Sequence, residues 1–431
     1  MLRSMDESRQ PPAHPVLHRG TASPQRGTNS ARVGTLNRAL VLDVVRRHGP
    51  VARTTIATTT GLTAQTVSNI AARLLQEGLL REARGPAHEP QRLLGIAPDA
   101  RYAVGLHLDP ARVVAVLVDL AGTVLASESL DAGALQGPDE VLDAMAAMTE
   151  RLLAARPAEV RDRLLGIGVA APGPLDPAHA VLAAPVQLPG WAGMPVADEL
   201  GRRTGLAVVL EKDGVAAGLG EAWTTTNTTG IITVTLGHGI SAAVIAEGRV
   251  VRGATGNAGE FGGMPVQAHG RWTAVWEACQ PLQQVERAIA AGVLPAATPT
   301  GCPADVRTAY EALCAMPEGA PLVEAGGTAL GSALAHVVEL LDVTDVVVGG
   351  SSAIAGGAVF LDAVRAGLAD RLPGPSRTAV SGTAYGEAAV ARGAACAVLA
   401  SALDAAPASR PEPVRAVAGR SPRARSIAHP W

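Results

Sequence analysis

The sequence predicts a multidomain chain: a small helical N-terminal domain finished by a two-stranded β-wing, followed by a large two-lobed α/β domain. Three observations carry this. The 431 residues exceed the usual size of one domain, and 48% of them are hydrophobic, enough for more than one core. Residues 35–97 carry apolar side chains at helical spacing, whereas from Tyr102 onward apolar strands alternate with helices. Charge is also divided unevenly. Residues 1–95 hold 13 arginines, no lysine and six acids (Asp6, Glu7, Asp43, Glu77, Glu82, Glu89), a net of +7 that leaves −10 on the rest of a chain whose total is −3. A basic arm on an acidic body is the distribution expected of a nucleic-acid reader joined to a separate domain, the plainer alternative being a solvated basic tail.

Composition removes several other classes. Aromatic residues make up 2% of the chain, too few for a surface of many stacked rings. No run of about 18 apolar residues is free of charges and turn formers, so no membrane span is expected. The N-terminus MLRSMDESRQPPAHP lacks the apolar core of a secretory signal. Cys279, Cys302, Cys314 and Cys396 lie far apart with no CxxC pair, which suits a reducing compartment and predicts neither a disulfide framework nor a zinc ribbon. A cytoplasmic location follows. Lysine occurs once, at Lys212.

Residues 1–34 and 405–431, rich in Pro, Arg, Ser and Gly, read as disordered. Between them, Leu36, Leu40, Val44 and Val45 mark a first helix ended by Gly49-Pro50. Arg53–Thr60 reads as a second, short helix whose five threonines give it poor intrinsic helicity, so tertiary packing must hold it. Ala52 stands where a Ser or Thr cap would help. Gly61 supplies a tight turn, and Thr63 caps a third helix running to about Glu77 with Val67, Ile70, Leu74 and Leu75 inward. Strands from Leu79 and over Arg92–Ile96, joined by a Gly85–Pro90 loop, form the wing. Beyond residue 101, the hairpin Tyr102–Leu108 with Arg112–Asp119 recurs as Ile231–Leu236 with Ala242–Ala246, which predicts two similar lobes and a ligand cleft between them.

The segment 51–80, with Gly61-Leu62-Thr63 and Thr66-Val67-Ser68 at its centre, resembles the helix-turn-helix of bacterial winged-helix regulators. The resemblance implies that the third helix enters a major groove of double-stranded DNA. Gln65 and Asn69 would then pair with adenine and Thr66 would touch a thymine methyl, with Ser68 beside them. Arg73, Arg46, Arg47 and Arg53, with Arg81, Arg84 and Arg92 from the wing, are phosphate candidates that set register rather than sequence choice.

Residues 101–404 resemble the ROK family, which groups bacterial repressors with sugar kinases. GIGVAAPGPLD (166–176), LEKDGVAAGLGEAW (210–223), TLGHGISAAVIAEGRVVRGATGNAGEFGG (235–263), DVTDVVVGGSSAIAGG (342–357) and YGEAAVARGAA (385–395) carry the resemblance, in family order. It implies an actin-like fold of the sugar kinase and ribonuclease H type, assembled as a dimer or tetramer, with a cleft near 211–213 and 255–263.

The family's working parts are altered. Its phosphate-binding Asp-Gly-Gly-Thr turn reads Asp109-Pro110-Ala111-Arg112, and proline offers no N–H. Neither ATP nor another cofactor is expected, and kinase activity is expected to be lost. Asp213 aligns with the sugar-activating base, as a vestige. Lys212 replaces a neutral sugar-binding Asn; it lowers the pKa of Asp213 through a salt bridge, recognises an anionic ligand, or faces solvent. Glu260 is retained as an acceptor for two sugar hydroxyls, Thr255 replaces an Asn, and Gly263 replaces a sugar- and zinc-binding His. His269 and Cys279 cannot supply the four ligands of a structural zinc, so no metal is expected. Lys212, Asp213, Thr255, Glu260, Pro172 and Gly173 remain as the candidate site for a sugar or sugar-phosphate effector. Three readings stay open: a ligand-responsive repressor, a ligand-independent DNA-binding dimer, and a sugar kinase that acquired a DNA-binding arm.

Overall fold

The computed structural model describes residues 30–84, 92–135, 137–176, 180–227, 229–372 and 377–404. Most of the expected N-terminal arm, the Gly85–Pro90 wing loop and the tail 405–431 lie outside the described residues.

The N-terminal unit consists of α1 (Ser30–His48), β1 (Val51–Ala52), α2 (Arg53–Thr60), α3 (Ala64–Gln76), β2 (Leu80–Arg84) and β3 (Arg92–Ile96). Helix α1 begins inside the stretch read as disordered. Its buried residues are Val41, Leu42, Val44 and Val45, while Leu36 and Leu40 are exposed. The inward stripe differs from the expected one because α1 packs on two sides, against α2 and α3 of its own unit and against the large domain. Ala52 gives α2 no side-chain cap, and Gly61 ends it at φ 71°, a conformation glycine adopts without strain. The Thr63 hydroxyl accepts the Thr66 N–H at 3.2 Å and so caps α3. Strand order β1-β3-β2 adds a short third strand to the wing.

The large domain contains β4 (Tyr102–Leu108), β5 (Arg112–Asp119), β6 (Val124–Asp131), α4 (Pro138–Ala154), α5 (Ala158–Asp162), β7 (Leu164–Ala171), β8 (Leu175–Asp176), β9 (Val181–Leu182), α6 (Val196–Thr204), β10 (Val208–Lys212) and α7 (Asp213–Thr224). A second half follows with β11 (Ile231–Leu236), β12 (Ile240–Ala246), β13 (Arg249–Val250), β14 (Pro265–Ala268), β15 (Arg271–Ala274), α8 (Val275–Cys279), α9 (Pro281–Ala290), α10 (Pro303–Ala315), α11 (Ala320–Leu341), β16 (Asp345–Gly349), α12 (Ser351–Arg371), β17 (Ala379–Gly382) and α13 (Ala389–Asp404).

The two main sheets have one topology. Their orders are β10-β7-β4-β5-β6 and β13-β12-β11-β16-β17, each an antiparallel three-strand meander followed by two parallel strands. The repeated hairpin in the sequence is thus the opening of a repeated lobe. Helix α12 is long and apolar enough to cross a membrane, yet Ala353, Phe360, Val364 and Leu368 bury it in the second lobe's core.

Helix α13 returns from the second lobe to lie on the first sheet, and three glycines set how closely. A Cβ on Gly105 would lie 1.8 Å from the Ala391 carbonyl oxygen, one on Gly168 would lie 1.9 Å from that of Ala394, and one on Gly393 would lie 1.7 Å from that of Ala216 on α7. Backbone therefore touches backbone at this junction, and no side chain can give way. The Gly168→Ala variant is expected to lose about 3 kcal/mol or more of stability, the upper range for overpacking. Urea unfolding checks this, and an unchanged midpoint would contradict the close seating of α13.

Candidate functional site

The outward face of α3 presents Gln65, Ser68, Asn69 and Arg73 to solvent, on a helix held from behind by Val67, Ala71 and Leu74. Gln65 Nε2 donates to Asn69 Oδ1 at 3.0 Å, an i,i+4 pair that aligns both amides on one face. Thr66 is half-buried, with its hydroxyl 2.8 Å from that of Thr63. Arg53 and Arg92 both pair with Glu82, at 3.0 and 2.9 Å. The Arg53 hydrogen bond, more than the Arg92 one, holds the Glu82 carboxyl below its ordinary range. Arg73 and Arg81 are exposed and make no ion pair among the described residues. The side chain of Arg84 lies outside what is described.

Arg46 and Arg47 are not on this face, which corrects their reading as phosphate contacts. Their side chains are 8% and 6% exposed and turn towards the large domain. Arg46 bonds the carbonyls of Ala222 and Trp223 and stacks 4.4 Å from the Trp223 ring. Arg47 donates to the Thr225 and Gly248 carbonyls at 3.4 and 2.6 Å, and both arginines pair with Asp43. The Ala222, Trp223 and Thr225 carbonyls lie at the C-terminal end of α7, where orphaned carbonyls and the helix dipole both favour a cation, and that of Gly248 lies in the β12–β13 turn.

The other end of α7 is the cleft. Lys212 precedes the helix and Asp213 is its first residue. Lys212 neither faces solvent nor pairs with Asp213. Its side chain is 2% exposed, and its ammonium donates to Glu260 Oε1 at 2.5 Å and to the Asn257 and Ala258 carbonyls at 3.2 Å each. Glu260 therefore has one oxygen committed to a protein cation. Asp213 Oδ1 accepts the Gly214 N–H at 2.6 Å. Burial pushes its carboxyl above the usual range, against the smaller opposing effects of His107, the Gly214 N–H and Lys212. The expected lowering by Lys212 is thus outweighed by desolvation. Gly173 stands against both partners of the ion pair: a Cβ there would lie 3.2 Å from Lys212 Cε and 3.3 Å from Glu260 Oε1. Pro172 is buried beside it, and the Thr255 side chain is exposed, with no side-chain hydrogen bond among the described residues.

Two cleft residues were not singled out in the sequence. Asn257 clamps the Pro172–Asp176 segment, accepting the Leu175 N–H at 2.7 Å and donating to the Leu175 carbonyl at 2.8 Å. Arg252 pairs with Glu211 of β10. Both sit inside the Gly-rich segment, where composition gives no cue to which residue reaches across. A cavity of about 390 Å³ lies beside them, lined by Leu175, Glu211, Arg252, Gly256, Ala397 and Ser401.

At the phosphate end, the Asp109–Arg112 turn has no free N–H. Asp109 and Arg112 bond each other's carbonyls at 3.2 Å, Pro110 has none to offer, and the Ala111 N–H is taken by Asp109 Oδ1 at 2.8 Å. Glu387 spans the lobes from Arg112, at 3.0 Å, to Arg307 of α10, at 2.7 Å. About 30 Å³ remains between His107, Asp109, Gly237, Gly350 and Glu387, room for little more than water. Cys279 is fully buried, and burial raises its thiol to about 12.

Comparison with known proteins agrees with this two-part architecture. Residues 104–401 match the family model described as "ROK family", and residues 35–89 match that described as "MarR family". The xylose repressor of Bacillus subtilis is 25% identical over 243 residues, covering 55% of this chain and 62% of that one. The glucokinase of Thermotoga maritima is 34% identical over 106 residues, 24% of this chain and 33% of its own. The crystal structure of a ROK family transcriptional regulator, a homologue of the E. coli MLC protein, superposes with a TM-score of 0.67 at 19% identity, over 86% of this chain and 97% of that one, and so shares the fold. The chain spans between 58% and 62% of the length of the first curated relatives it matches.

A carboxyl whose pKa is raised by folding holds its proton longer in the folded state, so its contribution to stability is full in acid and is lost as pH rises through the unfolded and then the folded value. Asp213→Asn is therefore expected to raise the melting temperature at neutral pH, with the advantage shrinking on acidification. A pH series of thermal melts checks this, and a difference that grows towards acid would reverse the assignment.

Proposed function

The chain belongs to the ROK family, and on that footing we propose that it is a cytoplasmic, sequence-specific DNA-binding regulator of transcription, a repressor, whose sugar-kinase-like domain senses rather than phosphorylates. The observation that carries this reading is the exposed α3 face with Gln65, Ser68, Asn69 and Arg73, on a winged unit bolted to the large domain through Arg46 and Arg47. A helix presented in this way fits a major groove, and two copies in a homodimer would read a pseudo-palindromic operator. The committed N–H groups of the Asp109–Arg112 turn speak against ATP binding. A cleft that keeps Asp213, Glu260, Gly173 and Lys212 suits a sugar derivative as effector. Binding there changes operator affinity to the extent that the ligand favours one arrangement of the reader.

The test is selection of a DNA site from random or genomic fragments, then gel shifts at fixed salt with excess competitor. Asn69→Ala is expected to weaken the selected site by about 1–3 kcal/mol and to relax the preference at a single base pair. Arg73→Ala is expected to weaken all sequences alike and to lower the salt slope by about one. If no site is enriched, or if Asn69→Ala leaves site preference intact, the reading of α3 falls. ADP release with a panel of hexoses would instead restore the kinase reading.

A further inference from the structure

The Lys212–Glu260 ion pair is asymmetric. Lys212 is buried, and of its three acceptors only Glu260 carries charge, the other two being backbone carbonyls. A buried ammonium left without an anion is strongly disfavoured. Glu260 is 66% exposed, and Lys212 is its sole ion-pair partner among the described residues, so its own carboxylate rehydrates at little cost once another anion takes its place. The cation is fixed and the anion is exchangeable.

That asymmetry restricts what the cleft can accept. A neutral sugar brings hydroxyl dipoles, which cannot replace a full charge beside Lys212. A phosphate brings a charge of about −1.5 to −2. It would meet one buried cation here, next in sequence to Glu211 and Asp213, with Arg252 already committed to Glu211. A carboxylate replaces the Glu260 carboxylate charge for charge and leaves the two carbonyl bonds of Lys212 intact. Gly173 keeps the wall open at this point, since any Cβ would crowd Lys212 Cε and Glu260 Oε1.

We propose that the cleft is a carboxylate-exchange site, in which a monosaccharide acid, a uronate or aldonate, displaces Glu260 from Lys212 and offers its hydroxyls to Asp213 and the Gly173 loop. The proposal rests on the reading of the cleft as a sensor and names the ligand class. Because Lys212 directly precedes α7, and Arg46 and Arg47 hold the far end of that helix, exchange acts on the element that carries the reader.

Isothermal titration calorimetry of the full chain at constant ionic strength, with D-glucuronate, D-galacturonate and D-gluconate against D-glucose and glucose 6-phosphate, tests it. At least one acid is expected to bind saturably and at least tenfold more tightly than glucose or its phosphate. Glu260→Gln keeps the side chain's shape, removes the competing carboxylate at a cost in stability without ligand, and is expected to tighten the acid several-fold. Were Glu260 a direct clamp for sugar hydroxyls, the same variant would weaken binding. Lys212→Met is expected to abolish acid binding; if it fails to fold, the Glu260→Gln comparison still decides. Tighter binding of a neutral or phosphorylated sugar, weaker acid binding by Glu260→Gln, or no acid bound by either protein would each overturn the proposal. A gel shift on the same preparation separates the outcomes: operator binding without acid binding sinks only the exchange site, whereas no operator binding sinks the regulator reading.

Discussion

Helix α7 is held at both ends by buried cations, and the arrangement of the molecule follows from that. At its C-terminal end Arg392, fully buried, donates to the Gly220 carbonyl at 2.5 Å and to the Gly122 carbonyl at 2.6 Å, with Tyr385 stacked 3.7 Å away. Arg46 and Arg47 take the carbonyls that follow. Three guanidinium groups from two helices, α1 and α13, thus meet at one helix terminus, where the macrodipole also favours positive charge. At the N-terminal end the acid Asp213 sits on the favourable side of the same dipole, and Lys212 ties the helix start to the 257–260 loop of the second lobe. The reader, the first lobe and the second lobe meet on a single rod about 18 Å long at 1.5 Å per residue. Gly393 of α13 also meets Ala216 backbone to backbone along the side of the rod.

On the reading proposed above, the cleft keeps a kinase frame without its chemistry. Ligand-facing groups have been turned on one another. Asp109 caps its own turn, Glu387 joins Arg112 to Arg307, Glu211 pairs with Arg252, and Glu260 pairs with Lys212. Each pair contributes little where it is exposed and more where it is buried. Their shared effect is geometric: three of the four link segments that a hinge between lobes would separate. Binding a ligand then becomes an exchange of partners rather than the filling of an empty site.

Much of this was legible in the sequence because it depends on local rules. Gly61 and Thr63 announce the turn and the cap that the structure contains, and the hairpins Tyr102–Leu108 with Arg112–Asp119 and their repeat fall where alternation placed them. Pro110 alone was enough to question the phosphate turn. What escaped depends on contacts between residues distant in sequence. Arg46 lies on the same basic helix as its neighbours, and nothing local says that it faces Trp223, some 177 positions away, rather than DNA. The inward stripe of α1 shifted from Leu36 and Leu40 to Val41 and Leu42 because a second packing surface, α13, comes from the far end of the chain. Lys212 was recognisable as out of place, but its partner was a matter of reach: the stem is long enough to pass Asp213 beside it and meet Glu260, which desolvation of Asp213 reinforces.

Lys212 and Asp213 also explain each other. An Asn at 212, as in the family's kinases, would leave Glu260 free for substrate and Asp213 beside a neutral neighbour. With lysine there, the ammonium spends its charge on Glu260 and two carbonyls, and only a minor part of its field reaches Asp213. Burial then dominates at Asp213, and the carboxyl keeps its proton to higher pH. The two acids are held differently: the Lys212 ammonium holds one Glu260 oxygen, whereas Asp213 Oδ1 accepts the Gly214 N–H at the start of α7. The residue at 212 therefore bears on both acids: its side chain reaches Glu260, and its backbone leads directly into Asp213 and α7.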